Sequence, residues 1–220
     1  MRRKFKIHQI LVLATTALSI LLAAGVIVRH PSEASDDLKA LMAGMPTIGS
    51  QAANVEVVIF EDFFCQGCRI FNEEIFPQIE SRYIASKRVR YTFVPLAFIA
   101  GSKPLANAAF AVHKIAPAQF FPYARKVFRW MDRLPPGDAA KPLLLDLAKK
   151  VGKIDLEKLQ QCIETNCYYE ELDQQYLAAK KFMGKKFGTP ALFVNGKATS
   201  TASFLLVQQR IEKTLEEAAP

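Results

Sequence analysis

Histidine is scarce in this sequence, three residues in 220, and tryptophan occurs once. His8, His30 and His113 form no cluster with one another, so nothing points to a histidine-held metal centre. No internal repeat or low-complexity tract interrupts the chain. No cysteine precedes Cys65, which excludes a lipid-modified cysteine near the N-terminus. A nucleic-acid footprint is missing too, although the formal charge is +8. Arg2, Arg3, Lys4, Lys6 and Arg29 supply five positive charges before the first acid, Glu33. The remaining chain nets only +3 once those five are set aside from the +8. A solvated mixed-charge surface accounts for that balance, and no nucleic-acid partner is expected.

What is present is a globular composition, 50% apolar and 23% charged, sized for one domain or one domain carrying a large insertion. The basic start is followed by Ile10 to Val28, nineteen residues without a charge. About 20 apolar residues in a helix span a bilayer. Positive charge ahead of them keeps the N-terminal end cytoplasmic, so the rest is expected to be translocated. Residues 1–30 read as either a signal peptide or an uncleaved membrane anchor. The run exceeds the usual signal-peptide core, while the small residues Ala23, Ala24, Gly25, Ser32 and Ala34 permit cleavage. Residues 31–50 read as a polar linker.

Val55–Phe60 is a short β-branched run, expected as a buried strand. Apolar positions Ile70, Phe71, Ile75, Ile79 and Tyr83 are spaced for a helix with a kink at Pro77. Val89–Val94 reads as a second strand, which makes a βαβ unit. Helices are then expected from Pro104 through His113, over Ala118–Met131 and Pro142–Val151, from an Asp155 cap through Cys162, and over Tyr168–Met183. Ala191–Val194 is a strand, Asn195-Gly196 a hairpin turn and Lys197–Thr199 its return. Ser203–Glu217 closes the chain as an amphipathic helix. The pattern is α/β, a mixed sheet interrupted by helices: residues 51–95 and 184–220 make the sheet-bearing parts, and 96–183 the insertion.

Four cysteines, all downstream of the apolar segment, fit an oxidising compartment. Cys65-Gln66-Gly67-Cys68 lies where a strand hands over to a helix. The first amides of a helix are unpaired and partly positive, so a thiolate there is stabilised and its pKa falls. Cys65 is expected as the exposed attacking sulfur and Cys68, one turn in, as the buried resolving one. A structural bridge and half of a zinc site are the competing readings of such a pair. A four-cysteine zinc site with Cys162 and Cys167 is disfavoured by their distance in sequence and by export, so no metal is expected.

Phe63-Phe64-Cys65-x-x-Cys68 after a strand, a long helical insertion, then Gly188-Thr189-Pro190 followed by Ala191–Gly196 resembles the DsbA family of thiol–disulfide oxidoreductases, nearest its Com1-like branch. The resemblance covers about residues 45–218. It implies a thioredoxin fold with a large inserted all-helical domain, and a cis peptide at Thr189–Pro190 facing the cysteine pair. It implies no cofactor beyond the Cys65–Cys68 disulfide, a substrate-binding role for Thr189 and Pro190, and tuning of the redox poise by Gln66 and Gly67. Family members often carry a buried acid six residues before the first cysteine. Ile59 stands there; Glu61, on the same side of the strand, is either a substitute proton relay or a solvated residue near the strand end. Asp62 matches a common family acid, with a helix-start role as the alternative.

Cys162 and Cys167 would lie too far apart in an unbroken helix. A turn at Asn166 would let them close, so a structural disulfide is expected, with free thiols as the alternative. The aromatic helix holding Phe120, Phe121, Tyr123, Phe128 and Trp130 is expected to pack the core, and His113 to be structural. A monomer exported to the periplasm is expected, with residues 1–30 either cleaved or kept as an anchor. If uncleaved, that segment contacts the inner membrane. Its substrates would be unfolded or folding exported proteins, and a DsbB-like quinone-linked membrane oxidase its electron acceptor. The rival functions are a disulfide isomerase or reductase, and a surface-associated protein with vestigial redox activity.

Overall fold

Every residue of Val55–Asp62 (β2) except Glu56 is buried, which a strand achieves only when both of its faces are covered. The computed structural model describes residues 31–218, with side chains from residue 36 onward. The expected signal or anchor segment, residues 1–30, lies outside the described residues. Among those described, no helix is long and apolar enough to cross a membrane.

β2 is the middle strand of a five-stranded sheet whose order is β1 (Thr47–Gly49), β3 (Val89–Leu96), β2, β4 (Ala191–Val194), β5 (Lys197–Thr199). It pairs in parallel with β3 (Val89–Leu96) from Val55↔Val89 to Asp62↔Leu96, and antiparallel with β4 (Ala191–Val194). β4 turns at Asn195-Gly196 into β5 (Lys197–Thr199). Both turn residues have positive φ, +43° and +75°, which an asparagine and a glycine accept at little cost. β3 runs two residues beyond the expected Val94, because Pro95 and Leu96 still lie opposite Glu61 and Asp62.

Residues 31–50 are not the linker that their polar composition suggests. Pro31–Met42 forms helix α1, and Leu38, Leu41 and Met45 are buried. Thr47–Gly49 (β1) then pairs antiparallel with β3 through Thr47↔Thr92 and Ile48↔Tyr91. A three-residue strand carries no readable periodicity; the open edge of β3 decides its conformation.

Side chains alternate across β2 and divide the core into two layers. Val55, Val57 and Ile59 face one cluster, and Val58 and Phe60 the other. The first layer takes the helix that follows Cys65. This starts as α2 (Gln66–Ile70), passes through a π-helical turn (Phe71–Ile75), continues as α3 (Phe76–Ile79) and ends in a second π-helical turn (Glu80–Ile84). Pro77 has no N–H to give the preceding turn, and the wider turns lie on either side of it, where the sequence predicts a kink.

Five α-helices stand between β3 and β4: α4 (Lys103–Ile115), α5 (Phe120–Trp130), α6 (Lys141–Val151), α7 (Leu156–Thr165) and α8 (Tyr169–Met183). The aromatic face of α5 joins them to the sheet. Phe63 stacks on Phe128 with centroids 4.7 Å apart, and Phe93 meets Phe120 at 5.2 Å. Each such side chain contributes about 1.5–3 kcal/mol on leaving water. Trp130, at the end of that helix, is only partly buried, under Arg133 and Lys150. α7 ends at Asn166, which adopts the left-handed conformation (φ 55°, ψ 42°), and Cys162 and Cys167 join in a disulfide with their Cα atoms 5.0 Å apart. The last helix, α9 (Phe204–Glu217), returns Val207 and Ile211 to the first layer.

Candidate functional site

Asp62 closes β2 with a tight turn, its Oδ1 accepting from Phe64 N–H at 2.9 Å while Cys65 N–H donates to the Asp62 carbonyl at 3.0 Å. That turn delivers Cys65 to the N-cap of α2 with an extended backbone (φ −83°, ψ 116°). The cap role usually belongs to an oxygen; here the sulfur accepts from Cys68 N–H at 3.4 Å. Cys65 is half-buried and Cys68 fully buried, and both are free thiols.

Thr189–Pro190 is cis and lies over this turn. The Cys65 thiol donates to the Thr189 carbonyl oxygen at 3.3 Å. A Cβ added to Gly67 would sit 3.0 Å from Pro190 Cδ and 3.8 Å from Cys65 Sγ, so the proline ring and the first helical turn are in van der Waals contact. The sequence expectation places Cys65, Gly67, Cys68, Thr189 and Pro190 at one site, and the structure brings them together. Gln66 is exposed on the same turn.

The two sulfurs are pushed in opposite directions. Hydrogen bonding from Cys68 does most to lower the Cys65 pKa, which stands at about 6 despite partial burial; the Thr189 side chain and the Cys68 and Gly67 amides add to the effect. Burial is the main force raising Cys68 far above the ordinary thiol range, aided by its hydrogen bond to Cys65 and by the Glu61 carboxyl. One sulfur is thus an anion at neutral pH, and the other stays a thiol.

Glu61 is completely buried. Its Oε2 accepts from Asn72 Nδ2 at 2.6 Å, and its Oε1 has no partner. Desolvation raises its pKa well above the usual carboxylate value, against the opposing hydrogen bond from Asn72. Burial thus favours the protonated form of Glu61. Asn72 was not anticipated from the sequence; its only signal is its place four residues after Cys68, on the same helical face.

Asp62 is not a helix cap. Its Oδ2 accepts from Phe98 N–H at 2.9 Å, Ile99 N–H at 3.0 Å and the Ser102 hydroxyl at 2.9 Å. Burial raises its pKa, yet all four partners donate, which is the environment of a carboxylate. Asp62 thereby ties the loop after β3 to the segment that carries Cys65. Phe98 on that loop is 38% exposed and lies 5.0 Å, centroid to centroid, from Phe187, just before the cis-proline. Ile70, two residues after Cys68 on α2, is 44% exposed. His113 is remote in role: its Nε2 lies 3.0 Å from the Gly44 carbonyl and its pKa is lowered by burial.

Residues 42–213 match the family model described as thioredoxin. Disulfide bond formation protein D of Bacillus subtilis is 30% identical over 175 residues, covering 79% of this chain and 78% of the relative. The crystal structure of oxidised BdbD from Bacillus subtilis superposes with a TM-score of 0.73 at 30% identity, over 80% of this chain and 95% of that one. DsbA from Chlamydia trachomatis gives 0.74 at 26% identity, over 80% and 94%. Relatives from Rickettsia felis and Rickettsia typhi are longer, and the chain covers 60% and 62% of their length.

Proposed function

We propose, for a chain that belongs to the thioredoxin family and is a DsbA-like protein thiol–disulfide oxidoreductase, that it acts as an oxidase through Cys65 and Cys68. The observation that carries this reading is the split acidity of the pair, with Cys65 near 6 and Cys68 held as a thiol. A low-pKa thiolate is a good leaving group and a poor reductant, which favours giving a disulfide away over breaking one.

In the oxidised form, a substrate thiolate attacks Cys65 Sγ. The Cys65–Cys68 bond breaks, its electron pair goes to Cys68, and that sulfur takes up a proton. A second substrate thiolate then attacks the substrate sulfur of the mixed disulfide and expels Cys65 as the stabilised thiolate. The substrate leaves with a disulfide and the protein with two more electrons. Glu61, buried beside the pair and protonated, is the proton source for Cys68. Thr189 and Pro190 hold an extended substrate segment beside Cys65, in the manner of an added strand, and the Phe98–Phe187 surface receives its apolar side chains. Gln66 and Gly67 bring no charge to the thiolate and leave its acidity intermediate.

The oxidised state is restored by a membrane partner, a DsbB-like quinone-linked oxidase. The site of action is the periplasm, with residues 1–30 directing export or anchoring the protein at the inner membrane. The chain works as a monomer, built as a sheet-bearing domain in two parts (residues 51–95 and 184–220) around a helical one (96–183). The supports are the basic-then-apolar N-terminus and four cysteines placed beyond it.

Trapping tests the reading. Cys68→Ser in the producing cell should accumulate mixed disulfides with exported proteins, and Cys65→Ser should form none. Peptide oxidation faster than insulin reduction identifies an oxidase; the reverse order identifies a reductase. Equal trapping by both variants would sink the assignment of roles.

A further inference from the structure

The buried amide of Asn72 bridges the Glu61 carboxyl and the backbone of Cys68. Its Nδ2 donates to Glu61 Oε2 at 2.6 Å and to the Cys68 carbonyl at 3.0 Å. The carbonyl oxygen of Cys68 can only accept, so the NH2 end of Asn72 must face it, and the amide cannot be turned the other way. The same NH2 group then donates its second hydrogen to Glu61, whose Oε2 must accept. A neutral carboxyl has one hydroxyl and one carbonyl oxygen. With Oε2 bound as the acceptor, the proton belongs on Oε1, the oxygen without a partner. Asn72 is 6% exposed and Glu61 not at all, so bulk water does not scramble this choice.

We propose that Asn72 is a positioning residue that fixes Glu61 with its acidic proton on Oε1, available to Cys68 when that sulfur leaves as a thiolate. The inference rests on the oxidase reading above and on Glu61 as the proton source. The step balances. The electron pair of the Cys65–Cys68 bond goes to Cys68 Sγ, the proton moves from Glu61 Oε1 to that sulfur, and the carboxylate left behind keeps its hydrogen bond from Asn72. Glu61 recovers a proton from solvent before the next cycle. A neutral amide suits both halves of the cycle. A lysine or arginine at position 72 would hold Glu61 permanently ionised, and an apolar residue would leave its carboxylate without a donor.

The experiment is a single-turnover measurement: oxidised full-length protein is mixed with excess cysteine-containing peptide between pH 5 and 9, and rates are divided by the substrate thiolate fraction. Wild-type protein should show a rate that falls as pH rises through the Glu61 titration. In Asn72→Leu the low-pH plateau should drop about tenfold or more, and the inflection should move to higher pH, because a donor to the carboxylate is gone. Asn72→Asp keeps the volume but replaces the donor with a second acid, and should move the inflection by about one pH unit or more. Glu61→Gln should lower the rate as much as Asn72→Leu, and the double variant no further. Equal loss at every pH in both Asn72 variants, or losses that add with Glu61→Gln, overturns the inference while leaving the oxidase reading standing. An unchanged rate in Cys65→Ser would instead overturn the oxidase reading itself.

Discussion

In its neutral thiol form Cys65 donates to the carbonyl oxygen of Thr189 at 3.3 Å, joining residues 124 positions apart. The contact pins the first turn of α2 to the cis-proline loop.

The acidity of Cys65 has a measurable signature. Alkylation of the reduced protein by iodoacetamide should follow a titration centred near pH 6, while Cys68 stays unreactive up to pH 9. The folded value lies below that of an ordinary cysteine, about 8.5. Stability from this thiolate is thus complete above about 8.5 and is lost as pH falls through 6. Reduced wild-type protein should gain in Tm over Cys65→Ser across that window. An inflection above pH 8 would contradict the electrostatics of the site.

The redox potential follows from the same thiolate. A Cys65 value of about 6 falls between about 7 for thioredoxin and about 3.5 for DsbA. Equilibration with glutathione should give a potential inside the roughly −270 to −120 mV interval of those proteins, short of its oxidising end. Gln66→His should move it toward that end by adding a donor to the thiolate. A wild-type potential at or above about −120 mV would contradict this.

Asp62→Ala removes a buried acceptor shared by Phe64, Phe98, Ile99 and Ser102. Leaving several buried donors unpaired should destabilise the protein by about 3 kcal/mol or more in urea unfolding. Asp62→Asn, which keeps one acceptor oxygen, should lose less. Equal and small losses would mean that the loop after β3 does not depend on this carboxylate.

Gly67→Ala would bring a methyl group against the Pro190 ring at 3.0 Å. The loop must shift by a few tenths of an ångström, and kcat/KM for peptide oxidation should fall severalfold with an unchanged circular dichroism spectrum. Undiminished activity in Gly67→Val as well would show that the loop yields freely.

The Cys162–Cys167 disulfide closes a loop with a sequence separation of 5. So short a loop restrains the unfolded chain by about 2 kcal/mol. The Cys162→Ala/Cys167→Ala variant should lose about that much stability and retain its oxidase rate. A lost rate with intact stability would instead give this pair a redox role.

Much of the architecture is legible in the sequence because its signals are local. The alternation of Val55–Phe60, the Asn195-Gly196 turn and the 3.6-residue spacing in the helices each need only near neighbours. The disulfide was readable once Asn166 was allowed its left-handed turn. What failed is equally specific. Residues 31–50 look like a linker because Leu38, Leu41 and Ile48 are few among polar neighbours; they became a helix and an edge strand only against surfaces supplied by β3 and the core.

By itself the sequence determined that two cysteines stand one helical turn apart at the end of a buried strand, with a Thr-Pro loop far downstream. Strand, turn and helix are written in residues within a few positions of one another. Only the tertiary structure decided how far the two sulfurs part in acidity, that Glu61 is sealed from water and what Asp62 holds. Those properties depend on desolvation and on hydrogen bonds to Thr189, Asn72, Phe98 and Ser102, and burial is a property of the assembled layers that no short stretch of chain possesses.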